Sequence, residues 1–109
     1  MNSFYKYDSE KNVHKLSPAL FWDYDISKID WQKIKGEVVK RVLTMGRLSD
    51  FFAAFDLYGG IKNVREIAIN EVDELTERDL DFMCQIFNIK KEKTLCYKNK
   101  LSRTQLLNS

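Results

Sequence analysis

Residues 41–69, RVLTMGRLSDFFAAFDLYGGIKNVREIAI, constrain the fold more than any other stretch of this chain. Gly46 and the Gly59-Gly60 pair cut a continuous helical pattern of apolar residues into the end of one helix, a second helix and the start of a third. One Pro and four Gly in the whole sequence are too few turn formers for a many-stranded sandwich. The expected fold is all-α, a compact bundle of four to five short helices. The two glycine turns are also what a helix-turn-helix-like unit would use.

At 109 residues the chain has the length of one domain and can bury roughly two thirds of its unfolded surface without a disulfide or metal staple. Seven Phe, five Tyr and two Trp supply the core. The formal charge of +2 is uninformative, but its distribution is uneven. Residues 1–30 sum to −1, 31–65 to +4, 66–88 to −6 and 89–109 to +5. Cys84 and Cys96 follow no pairing or metal pattern, so both are expected as free thiols in a reducing compartment. Residues 1–15 hold no apolar stretch of signal-peptide type, and the longest apolar run, residues 51–55, is far too short for a membrane span. A cytoplasmic location with no membrane contact is the expectation.

Along the chain, residues 1–16 lack a sustained period and read as a flexible N-terminal arm. The helical domain is expected over residues 17–97, and residues 98–109 as a frayed basic tail. Ser17-Pro18 starts a short helical turn that should bury Phe21 and Trp22, each costing on the order of 3–5 kcal/mol on truncation. Asp23 and Asp25 lack the further oxygen ligands and glycine of a calcium loop and read as caps or surface charges. Asp30 is the expected N-cap of a helix over 30–45, stapled by Ile29 and Ile34, with Trp31, Ile34, Val38, Val42 and Met45 on its inner face. Lys33, Glu37 and Arg41 should pair on its outer side. Gly36 should admit an aromatic ring, and Gly46 should form a left-handed cap. Ser49 is expected to cap a helix over 49–58, followed by helices over 61–69 and 77–87 and a short fifth over 91–97. Thr76 with Asp79, and Leu75 with Leu80, mark the start of the fourth, and Asn88 its end. Cys84 should be a small buried hydrophobe.

Chemistry is sparse. His14 is the only histidine, which removes most triads, Cys-His dyads and multi-histidine metal sites. No phosphate-cradling glycine loop or nucleophile elbow occurs. The chain therefore reads as a non-enzyme with no cofactor and no metal. Two binding readings remain. In the first, aromatic residues exceed what one helix face can bury, and Phe51, Phe55 and Tyr58 anchor another protein. In the second, residues 61–69 are the recognition helix of a helix-turn-helix, with Lys62, Asn63 and Arg65 contacting DNA. Phe55 occupies the position where that motif needs a small residue, and Glu66 and Glu71 crowd the helix, so the protein-interaction reading leads. Self-association is compatible with either.

One pattern extends over residues 16–98. Leu20-Phe21-Trp22-Asp23, Ile29-Asp30-Trp31, Arg41-Val42-Leu43 with Gly46 and Asp50, and Tyr58-Gly59 with Ile61 occur in that order. Leu75-Thr76, Phe82, Phe87-Asn88-Ile89 and Cys96-Tyr97 continue it. This order resembles a group of small bacterial helical proteins without assigned biochemical activity. Members are often encoded beside nucleotidyltransferase-type toxins of abortive-infection systems. The resemblance implies an accessory, antitoxin-like partner of such a toxin and supplies no catalytic residue. The chain departs from the group at residues 51–55, where relatives are more polar and carry a Trp.

Overall fold

A computed structural model describes residues 16–107, with side chains to residue 104. The expected N-terminal arm, apart from Leu16, lies outside the described residues. Five helices, α1 (Lys35–Met45), α2 (Leu48–Tyr58), α3 (Ile61–Asn70), α4 (Glu77–Phe87) and α5 (Leu95–Leu107), make an all-α fold with no strand among the described residues. Short 3₁₀ turns at Pro18–Phe21, Ile26–Lys28 and Lys91–Lys93 complete it. Helices α1, α2 and α3 pack on one another, α4 leans on α1, and α5 on α3. Val38, Val39, Val42, Phe55, Val64, Ala68, Leu80 and Met83 form the centre of the core, each at most 1% exposed.

The helix ends follow local chemistry. Thr76 Oγ1 accepts the Asp79 amide at 3.2 Å and opens α4. Asn88, at φ 53°, closes it in the left-handed region, with the Ile89 amide donating to the Cys84 carbonyl. Gly59 and Gly60, at φ 87° and 123°, end α2. A side chain at either position would be strained, so glycine is the residue for this turn.

Three expectations near the first two helices need correction. Asp30 does cap a turn, its Oδ1 accepting the Lys33 amide at 3.2 Å, but regular helix begins only at Lys35. The Trp31 carbonyl, which a continuous helix would use for the amide of residue 35, instead accepts the Tyr58 hydroxyl at 2.8 Å. Gly46 is extended, at φ −79° and ψ 164°, not left-handed. Gly36 faces no ring. A Cβ there would lie 2.7 Å from the Glu71 carbonyl oxygen, so its function is to let α1 approach the end of α3.

Helix α2 starts at Leu48, one residue before the expected cap at Ser49. Its capping group is Asp50, in the third position, whose Oδ2 accepts the Arg47 amide at 2.9 Å. The other carboxylate oxygen accepts both the amide and the hydroxyl of Ser17, each at 2.8 Å. Asp50 is 1% exposed, and its burial is tolerable because these three donors replace water.

Residues 98–107 of the expected frayed tail are instead helical, part of α5. Thr94 Oγ1 caps α5 by accepting the Tyr97 amide at 3.1 Å, and no glycine or proline follows to stop the helix. Asn99 Nδ2 donates to the Asp73 carbonyl at 3.0 Å, and Arg103 pairs with Glu74, tying residues 98–104 to the body. Cys96 is buried and Cys84 half-buried, both free, and burial pushes both thiols up from their ordinary pKa.

Replacing Asp50 by Ala should cost about 2–4 kcal/mol, because three donors lose a charged acceptor. Urea unfolding followed by far-UV circular dichroism measures this, and a loss below about 0.5 kcal/mol would contradict the assigned role. Gly36→Ala should also destabilise, by about 1–3 kcal/mol, whereas an open helical site would gain up to about 1 kcal/mol from the same change.

Candidate functional site

The structure moves the aromatic anchors indoors. Phe51, Phe55 and Tyr58 are 7%, 0% and 7% exposed, so none offers a contact surface in this fold. The physical reason is that α2 is covered on more than one side. Phe51 stacks tilted or edge-on with Phe82 and Phe87, with ring centroids 6.4 and 6.5 Å away, and Phe55 meets Phe87 at 6.5 Å. Tyr58 spends its hydroxyl on the Trp31 carbonyl, and burial raises its pKa. Phe51 and Phe55 are thus taken up by the contact between α2 and α4, and Tyr58 by its bond to the segment before α1.

The residues of the DNA-contact reading lie on one helix but have different surroundings. Lys62 is exposed. Asn63 Nδ2 donates to the Tyr58 carbonyl at 2.8 Å and so belongs to the glycine turn. Arg65 Nε and Nη2 donate to the carbonyls of Phe87 and Asn88, at 2.9 and 3.1 Å, and close the C-terminal end of α4. Helix α3 packs against α1, α2 and α5 rather than projecting from the body.

Trp22 reverses its expected place. It was expected in the core beside Phe21, yet it is 81% exposed while Phe21 is 2%. A 3₁₀ turn has three residues per circuit, so three consecutive side chains cannot all face one core. Leu20 and Phe21 occupy the inward positions of the Pro18–Phe21 turn, and Trp22 is left outside. Tyr24 and Ile26 follow it on the surface, 38% and 45% exposed. These three apolar side chains alternate with Asp23 and Asp25, a pattern that in a sequence points to a half-buried strand and so gave no sign of their exposure.

This exposed segment is anchored on α1. Arg41 forms a two-pronged ion pair with Asp23, Nη1 to Oδ1 at 2.6 Å and Nη2 to Oδ2 at 2.9 Å. Nη1 also donates to the Leu20 carbonyl at 2.9 Å, and Nε to Glu37 at 3.0 Å, which is one of the helical pairs expected from the sequence. The same guanidinium lies 5.0 Å from the Tyr24 ring centroid and 5.8 Å from that of Phe21. Its hydrogen bond to Asp23 holds that carboxyl below the ordinary value of 3.8. The folded form thus binds the Asp23 proton more weakly than the unfolded chain. The clamp's contribution is complete above that ordinary value and fades as the pH falls through the lowered one. Asp25 Oδ1 accepts the amide and hydroxyl of Ser27, at 3.1 and 2.7 Å, and fixes the second turn.

The arrangement presents a large aromatic on a braced surface turn. Among the described residues no group of three or more His, Cys, Asp or Glu could hold a metal ion, and no helix is long and apolar enough to cross a membrane.

No curated protein matches the chain, and no solved structure does. Residues 16–68, from the segment preceding the Trp22 turn through most of α3, match a family of unknown function, DUF6922.

Proposed function

We propose that this chain is a non-enzymatic protein-interaction module whose contact surface is the turn carrying Trp22, Tyr24 and Ile26. The observation that carries this reading is the 81% exposure of Trp22 on a segment pinned by Arg41. Leaving an indole in water forgoes burial that would stabilise the fold, while a rigid aromatic loses little entropy on docking. Tryptophan is also the side chain that most often dominates an interface. The resemblance to proteins encoded beside nucleotidyltransferase-type toxins supports such a toxin as the partner, with this chain as its antitoxin-like accessory. On this reading the chain resides in the cytoplasm with its partner.

The test is co-expression with a nucleotidyltransferase-type toxin of an abortive-infection system, followed by affinity capture. The wild-type chain should retain the toxin, and Trp22→Ala should weaken capture at least about tenfold while its unfolding midpoint stays unchanged. Failure of the wild-type chain to capture any such toxin would overturn the assignment. A second variant probes the clamp. Arg41→Met should leave the helical spectrum intact yet lower affinity several-fold, because the turn then has to order on binding. With Trp31→Phe to remove the second indole, the fluorescence of Trp22 should shift to shorter wavelength on complex formation. No shift would mean that the turn stays in water.

A further inference from the structure

A second concave surface uses none of the residues of the Trp22 turn. Its volume is about 440 Å³, and it lies between α3 and the segment joining α4 to α5. Arg65, Glu66 and Ile69 form one wall, and Asn88, Ile89, Lys90 and Lys93 the other. We infer that this cleft binds a phosphate monoester carried on an organic body of about nucleotide size, with Arg65, Lys90 and Lys93 holding the phosphate.

Charge is the first argument. Three cations face one carboxylate, and among the described residues neither Lys90 nor Lys93 has a carboxylate within ion-pairing distance. Neighbouring Lys91, by contrast, is paired with Asp81. Two unpaired ammonium groups and a guanidinium around one hollow repel each other and favour an anion. A phosphate monoester, carrying about −1.5 to −2 at pH 7, balances them better than a single carboxylate does.

The second argument is the fixed direction of Arg65. Its Nε and Nη2 are tied to the Phe87 and Asn88 carbonyls, which hold the guanidinium plane still. Nη1 makes only a long contact to Glu66, at 3.9 Å. An arginine already anchored by two bonds loses little freedom when it meets an anion, and guanidinium with ammonium groups is the usual pairing for phosphate. The two walls are cross-linked by the same bonds, so the hollow is preformed.

The third argument is the lining. Ile69, half-buried, gives the hollow an apolar edge beside Ile89, which is itself mostly packed in the core. The volume falls within the range of small-molecule sites, roughly 300–1,000 Å³. Together they fit an organic group attached to the phosphate. That group could belong to a free mononucleotide or to the phosphorylated end of a nucleic-acid strand, and the chemistry of the contact is the same.

The experiment is an amide NMR titration of the whole chain with adenosine 5′-monophosphate, adenosine, inorganic phosphate, and a short oligonucleotide with and without a 5′-phosphate. Saturable shifts centred on Arg65 and residues 88–93 are expected with adenosine 5′-monophosphate, at a Kd of about 1 mM or below. Adenosine and inorganic phosphate should each bind roughly tenfold more weakly or not at all. The Lys90→Gln and Lys93→Gln double variant, altered only at exposed positions, should keep its helical spectrum and lose the response. If the phosphorylated oligonucleotide binds much more tightly than the mononucleotide, the source is a strand end; if it binds no better, the source is the free nucleotide. No saturable shift up to about 10 mM overturns the proposal. So does undiminished binding by the double variant, equal binding of inorganic phosphate, or equal binding of the two oligonucleotides.

Discussion

The buried carboxylate of Asp50 is the interaction on which the arrangement depends. An ionised side chain at 1% exposure is costly unless its lone pairs are filled, and here Ser17 and Arg47 fill three of them. The Arg47 bond begins α2. The two Ser17 bonds fasten a segment 33 residues earlier in sequence to that same helix end. One group thereby sets where α2 starts and where the Pro18–Phe21 turn lies. Leu20 and Phe21 then enter the core, Trp22 is left outside, and Arg41 reaches Asp23 and the Leu20 carbonyl.

The close approach of α1 to the end of α3 is the second constraint. It needs Gly36, because any Cβ would strike the Glu71 carbonyl. With α1 so placed, the Tyr58 hydroxyl reaches the Trp31 carbonyl and delays regular helix to Lys35. These contacts cross-link α1, α2 and α3 into a rigid unit. That unit presents the Trp22 turn along α1, while the cationic cleft lies where α3 meets the link to α5. The two proposed surfaces therefore rest on one scaffold but on different side chains.

Much of the helix pattern was legible because its signals are local. The Thr76 cap, the Asn88 closure and the Gly59-Gly60 break each act within about four residues, and each lies where the sequence puts it. Errors clustered where a partner is distant. Ser49 looked like a cap, but α2 opens one residue earlier, and Asp50 in its third position caps it while sharing its other oxygen with the distant Ser17. The tail looked frayed because the partners that tie it down, Asp73 and Glu74, are 26 and 29 residues away. Arg65 looked free to read DNA because nothing nearby in sequence shows that it closes α4.

The sequence by itself determined the fold class, the order of α1 to α5 and most of their ends. These follow from apolar periodicity and capping chemistry, which are short-range. Only the tertiary structure decided which aromatics are surface. Whether Trp22 or Phe51 meets water depends on what packs opposite, and Phe82 and Phe87 of α4 cover Phe51 while no helix among the described residues covers Trp22. Composition counts aromatic rings but does not say where the next helix lies. The candidate surface consequently shifted from α2 to a turn that the sequence had assigned to the core.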